Sequence, residues 1–217
     1  MDRVKIKEQS KQQIKGKIGI LFVISLIIGA ISSVATAVLY LFVPFGSIIS
    51  AVLITPAFSL SLIRVYLSVT ADKKPEVSDA FSGYDDFWSA FKVTFFVGLF
   101  TFLWSLLFVI PGIVKSYAYS MSMYILAENK GMGAFEAINR SKEMTNGHKM
   151  DLFVLTLSFI GWALLCSITC GIAYIYVGPY MNTTFANYYL ALKGAAATAK
   201  AEPSSEIEAQ ANEPVSE

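Results

Sequence analysis

The chain has 217 residues, 55% of them apolar and only 15% charged, with a formal net charge of +1. A mean hydropathy of +0.56 excludes an ordinary water-soluble domain, in which about a quarter of the residues are charged. A nucleic-acid binder is excluded too, because the basic residues are sorted along the chain in a membrane-surface pattern instead of forming a large excess.

Residues 1–17 carry Arg3, Lys5, Lys7, Lys11, Lys15 and Lys17 against two acids. Such a segment suits an anionic lipid surface, where each cation contributes about 1 kcal/mol. Uncharged stretches follow at 18–63, 93–114 and 152–192. About 20 apolar residues cross a bilayer. The first and third stretches must therefore double back, near Val43-Pro44-Phe45-Gly46-Ser47 and near Cys170-Gly171. Ala35-Thr36-Ala37 looks like a signal-peptidase site, but the apolar run is too long and continues past it.

The predicted spans are 18–42, 47–70, 90–110, 111–127, 151–169 and 172–192. The fold class is all-α, a polytopic membrane helix bundle of six transmembrane helices arranged as three hairpins with amphipathic cytoplasmic linker helices. The segment 111–127 is the ambiguous one, since about 17 residues rising about 1.5 Å each barely cross and Lys115 interrupts them. Counting it as a span puts the basic residues of the N-terminus and of the 71–92 and 128–150 linkers on one side. The positive-inside rule makes that side the cytoplasm, with both termini in it. The organisation expected is a basic cytoplasmic segment at 1–17, a membrane domain at 18–193, and a disordered cytoplasmic tail at 194–217 that lacks the large apolar residues needed to fold.

Both linkers read as interfacial helices. In the first, Val77, Ala80, Phe81, Tyr84, Phe87 and Trp88 share an apolar face behind a Ser78 cap, opposite Asp79, Asp85 and Asp86. In the second, Ala134, Phe135, Ile138, Ser141 and Met144 lie opposite Glu136, Arg140 and Glu143, ending near Asn146-Gly147. An internal repeat links the even-numbered spans, each of which carries one proline expected to kink it: Pro56, Pro111 and Pro179. Eight residues after each proline stands a polar group, Arg64, Tyr119 or Asn187.

Arg64 and Lys115 are the charges within the spans, and an intramembrane cation costs about 2.5–3.5 kcal/mol unless a partner or water meets it. No span contains a carboxylate, so the pair is a candidate anion-binding set; the alternative is snorkelling to the interface. The sixth span adds Asn182, Thr183, Thr184 and Asn187 after Gly178-Pro179, which fits either a kinked helix lining a polar cavity or interhelical hydrogen bonding. The candidate ligand-binding residues are thus Arg64, Lys115, Asn182 and Asn187. Small residues recur every four positions at Ser25, Gly29, Ser33 and Ala37, and again at Ala163, Ser167 and Gly171, a pattern expected where helices pack closely in lipid. Cys166 and Cys170, four apart, read as core residues, His148 as an interfacial residue, and Asp85 with Asp86 as a solvated face. No catalytic constellation, metal spacing or cofactor motif is present in the sequence.

Ile110-Pro111-Gly112 with Lys115, Glu136-Ala137-Ile138 through Arg140-Ser141-Lys142, Gly147-His148-Lys149, Phe159-Ile160-Gly161-Trp162 and Pro179-Tyr180 together resemble DUF975, a family of predicted integral membrane proteins from Gram-positive bacteria. The N-terminal half matches more loosely, through the basic start and Asp79-Ala80-Phe81-Ser82-Gly83. The family is distantly similar to the membrane domain attached to some glycerophosphodiester phosphodiesterases, whose soluble catalytic domain has no counterpart here. The resemblance implies a six-pass bacterial plasma-membrane protein and carries no activity with it. The function expected is non-enzymatic: a module that binds an anionic lipid of the bilayer or a membrane-protein partner, without cofactor. The alternative is a small transporter or export accessory for an amphipathic or anionic substrate, although no span offers a carboxylate for ion coupling.

Overall fold

A computed structural model describes residues 3–42, 46–107, 109–169 and 171–211. The first expected turn, at 43–45, and Cys170 lie outside the described residues. The helices are α1 (Arg3–Ile14), α2 (Ile18–Phe42), α3 (Gly46–Thr70), a 3-10 linker helix (Val77–Asp86), α4 (Phe87–Leu107), α5 (Val109–Tyr119), α6 (Ser122–Glu128), α7 (Ala134–Met144), α8 (Lys149–Leu157), α9 (Ile160–Ile168) and α10 (Tyr174–Ala211). No strand occurs among the described residues.

Three stretches are long and apolar enough to cross a membrane: Ile18–Val38, Val77–Leu106 and Lys149–Ile168. Ile54–Thr70 is apolar but shorter among the residues described. The chain nevertheless runs out and back three times: α2 packs on α3, α4 on α5, and the α8–α9 segment meets α10 through aromatic contacts such as Phe159 with Tyr180 and Trp162 with Tyr176. The fourth expected span is broken, with a turn at Ser120-Met121 separating α5 from α6, and the fifth has a turn at Ser158-Phe159. Pro56 and Pro179 sit inside continuous helices. Pro111 falls in the first turn of α5, where its missing N–H costs no hydrogen bond, so the interruption expected there lies nine residues later. Helical backbone also continues beyond Lys193 to Ala211, through an alanine-rich run of high helix propensity, where composition predicts a disordered tail.

Packing is uneven along the hairpins. Leu21, Ile24 and Ile28 of α2, Leu60, Val65 and Val69 of α3, Ile125 and Leu126 of α6, and Tyr188, Tyr189 and Leu192 of α10 form one core at the end of the bundle that carries α1 and both linkers. The other halves are apolar but exposed, as at Val34, Phe102, Leu106, Leu164 and Ile168. Apolar surface on this scale implies a lipid solvent. The small-residue stripes differ from expectation: Gly29, Ser33, Ala37, Ala163 and Ser167 are exposed, and a Cβ built on Gly29 meets nothing. Leu21, Ile24 and Ile28 recur at i, i+3 and i+7, and they turn the opposite face of α2 inward.

The close approach lies elsewhere. A Cβ on Gly112 of α5 would fall 2.1 Å from Ser105 Oγ and 2.8 Å from Ser105 Cα on α4, so only glycine lets this hairpin close. Gly112→Val is expected to destabilise the protein by about 1–3 kcal/mol, the range for overpacking, seen as a lowered Tm in detergent. Gly29→Ala, which enters open space, should leave Tm unchanged or slightly raised.

Candidate functional site: the linker end

Each amphipathic helix is fastened to the bundle by a polar anchor. The 3-10 linker helix starts at a reciprocal capping box between Glu76 and Asp79, in which the Glu76 N–H donates to Asp79 Oδ2 at 2.9 Å. Its three-residue turn aligns Ala80, Gly83 and Asp86 on one side, and that side faces α3. The Gly83 N–H donates to Ser61 Oγ at 2.9 Å, and Ser61 in turn donates to the Ala57 carbonyl at 3.1 Å. A Cβ on Gly83 would come within 2.1 Å of that carbonyl oxygen. The sequence predicts an interfacial helix with an aromatic face behind a Ser78 cap. The cap is Glu76, the small residues dock on α3, and Val77, Phe81, Tyr84 and Trp88 remain exposed.

Arg64 lies one turn beyond Ser61. Its guanidinium donates to the Ser82 carbonyl, to Asp86 Oδ2, and through Nε to the Ala127 carbonyl at 3.2 Å. The Arg64 and Asp86 side chains are only 10% and 12% exposed. The second Asp86 oxygen accepts the Gly131 N–H at 3.1 Å, tying in the start of the second linker. Arg64 thus finds its anion within the chain, and the external anion expected there is displaced by Asp86. Lys130 with Asp85, 3.5 Å apart and about two-thirds exposed on both sides, adds little.

The second linker docks on the break between α5 and α6. Ser141 Oγ accepts the Met121 N–H at 3.2 Å and donates to the Ala118 carbonyl at 2.8 Å, satisfying backbone groups that the turn frees. Of the predicted apolar face Ala134, Ile138 and Ser141 are buried here, joined by Ala137, whereas Phe135 is half exposed and packs on Phe96. The third dock is formed by α1. Asn187 Nδ2 of α10 donates to Ser10 Oγ at 2.9 Å and Gln13 Oε1 at 2.6 Å, while Gln13 Nε2 donates to the Thr70 carbonyl at 3.1 Å.

The polar residue eight positions after each proline therefore touches an amphipathic helix in all three units: Arg64 the first linker, Tyr119 the second through buried Ile138 and the Lys142 ammonium 5.6 Å above its ring, and Asn187 helix α1. The membership of α1 escaped the sequence reading, although Ile6, Ser10 and Ile14, its buried residues, recur at every fourth position.

Further contacts complete this end: ion pairs of Lys17 with Asp72 at 3.4 Å and Arg3 with Asp151 at 3.9 Å, and a contact of His148 Nδ1 with Asp151 at 3.4 Å. Glu128 accepts from Lys193 Nζ and the Tyr189 hydroxyl, both at 2.6 Å. Burial alone would raise the Glu128 carboxyl, but these donors and the Lys193 charge outweigh it and hold the group below its usual value. The stability it confers is complete above the ordinary carboxylate range and is lost as pH falls through the lowered value. Glu128 also forms the wall between two open cavities. One, of about 590 Å³, is bordered by Arg140, Glu143, His148 and Lys193, and the other, of about 300 Å³, by Arg64, Ser68 and Lys73.

The four candidate ligand-binding residues do not converge. Lys115 lies 4.7 Å over the Trp104 ring across the α4–α5 hairpin. Asn182 donates to the Gly178 carbonyl at 3.0 Å and lies within reach of the Tyr66 hydroxyl. Arg64 and Asn187 each hold a different amphipathic helix. The reason is that polar atoms in spans are satisfied by the nearest available backbone or side-chain partner. No group of three metal-ligating side chains occurs among the described residues.

The fold and this polar end define the class, an all-helical protein of membrane type with its charged anchors gathered at one end. The chain belongs to the DUF975 family of proteins of unknown function, whose model matches residues 1–115 and again 106–196. Comparison with curated proteins and with solved structures returned no significant match.

A buried ion pair broken on one side costs about 3–5 kcal/mol. Arg64→Gln and Asp86→Asn should each lower thermal stability in detergent by that order, and the double variant should lose less than the sum of the two. Strict additivity would mean that the pair is not coupled.

Proposed function

We propose that this is a non-enzymatic, multi-pass protein of the bacterial plasma membrane. It crosses six times, with the linker end and both termini in the cytoplasm, and serves there as a binding module for an anionic lipid or a membrane partner. One observation carries this reading: α1, both linkers and the Lys193 region of α10 are joined to one another at a single end. Each hairpin must leave that end and return to it, which favours an even number of crossings. The same end holds six basic residues of 1–17, as the positive-inside rule asks of a cytoplasmic face.

Topology is tested with single cysteines in a chain carrying Cys166→Ser and Cys170→Ser. Ser47→Cys should react with a membrane-impermeant maleimide on intact cells, and Ser78→Cys, exposed on the first linker, should react only after permeabilisation. The reverse pattern would overturn the orientation. Binding is tested by native mass spectrometry of the detergent-purified chain, where selective retention of anionic over zwitterionic phospholipid, or of a copurifying membrane protein, is expected.

The transporter reading has one observation in its favour. The hydroxyls of Ser122 on α6 and of Thr183 and Tyr188 on α10 are buried without a hydrogen-bond partner, and an opened state that admitted water or a polar substrate would satisfy them. Flux in vesicles, altered by Thr183→Val, would favour it.

A further inference from the structure

The cations of the linker end differ in what meets them. Arg3, Lys17, Arg64, Lys130 and Lys193 each meet a carboxylate. Lys7 and Lys11, one turn apart on α1, have no carboxylate among the described residues within ion-pairing distance, and Glu8 beside them is exposed. They face aromatic rings instead. Lys7 Nζ donates to Ser158 Oγ at 2.5 Å and stands 4.6 Å over the Phe159 ring, while Lys11 Nζ lies 5.7 Å from the centre of the Tyr180 ring. The two rings meet edge to face at 5.5 Å, so the two ammonium groups lie over neighbouring rings. Burial, and then the charge of Lys11, push the Lys7 ammonium below its usual value. Two like charges one turn apart on a helix are relieved by an anion shared between them.

The surroundings select the kind of anion. Trp162 lies against Tyr180 at 6.1 Å and Tyr176 at 6.3 Å, which extends the aromatic wall beside the two cations. Further along α9, Ile160, Leu164 and Ile168 are 52%, 61% and 80% exposed and make an apolar strip leading away from the lysines. A soluble anion would use the cations and leave that strip bare, whereas a phospholipid uses both.

We propose that Lys7 and Lys11 seat the phosphate of an anionic phospholipid, with Ser158 as a further donor and an acyl chain lying along Ile160, Leu164 and Ile168. The inference rests on the binding-module reading and gives it a site, distinct from diffuse attraction by the whole basic segment.

The test uses the full-length chain in detergent and native mass spectrometry with phosphatidylglycerol, phosphatidylcholine and glycerol phosphate. The parent protein should retain phosphatidylglycerol in preference to phosphatidylcholine, and glycerol phosphate should not displace it at equal concentration. Lys7→Gln with Lys11→Gln should lower retention about thirtyfold, each cation near the surface contributing about fivefold. Lys15→Gln with Lys74→Gln removes the same charge from exposed positions and should have little effect, and Lys7→Arg with Lys11→Arg should restore binding, which separates lost charge from lost folding. An equal loss in the Lys15/Lys74 variant, undiminished retention in the Lys7/Lys11 variant, or equal binding of glycerol phosphate would each overturn the site. If the parent retains anionic lipid through other residues, the site fails and the binding module stands; if it retains none, the lipid-binding form of that reading fails as well.

Discussion

A guanidinium placed within an apolar segment must be met by charge, and Arg64 is where this chain resolves that requirement. Its three partners come from two separate segments: the Ser82 carbonyl and Asp86 carboxylate of the 3-10 linker helix, and the Ala127 carbonyl near the end of α6. Asp86 passes the constraint on by accepting the Gly131 N–H at the start of the second linker. One side chain therefore fixes where the first linker lies, where the second hairpin returns, and where the second linker begins. The geometry suits arginine rather than lysine, because only a planar fork of donors reaches three acceptors in different directions.

The same dock explains why small residues sit where they do. Ala80 and Gly83 bring linker backbone against α3 closely enough for the Gly83 N–H to reach Ser61, so the polar groups of both helices are satisfied without water. The large side chains of the linker are left facing outward, at the level where α3 leaves its apolar stretch. An outward row of Val77, Phe81, Tyr84 and Trp88 is the composition of a helix lying in a membrane interface.

Much of this was legible beforehand. Uncharged runs pointed to an all-helical chain of membrane type, and the 3.6-residue period of α7 put Ala134, Ile138 and Ser141 on one face. The partner of Arg64 was not legible, because a search for carboxylates within the spans passes over Asp86, 22 residues away in a linker. The side by which the first linker docks was not legible, because its turn has three residues rather than 3.6, which brings Ala80, Gly83 and Asp86 into line. The breaks at Ser120-Met121 and Ser158-Phe159 carry no proline or glycine signal. The first is stabilised from outside by Ser141, a tertiary contact that no local pattern announces.

The three units also suggest why the basic N-terminus lies where it does. In the first two, the amphipathic helix follows its hairpin directly in the chain. After the third hairpin α10 continues as an alanine-rich helix, and the dock at Asn187 is filled by α1 from the N-terminal part of the sequence. The repeat is thus closed circularly, and the segment that closes it has the highest density of basic residues in the chain. Docking through Ile6, Ser10 and Ile14 leaves Lys7 over Phe159 and Lys11 over Tyr180, where the α8–α9 segment meets α10. The third unit is therefore unlike the others: its amphipathic helix brings positive charge against aromatic rings, whereas the first brings exposed aromatic side chains and the second the paired charges of Glu136 and Arg140.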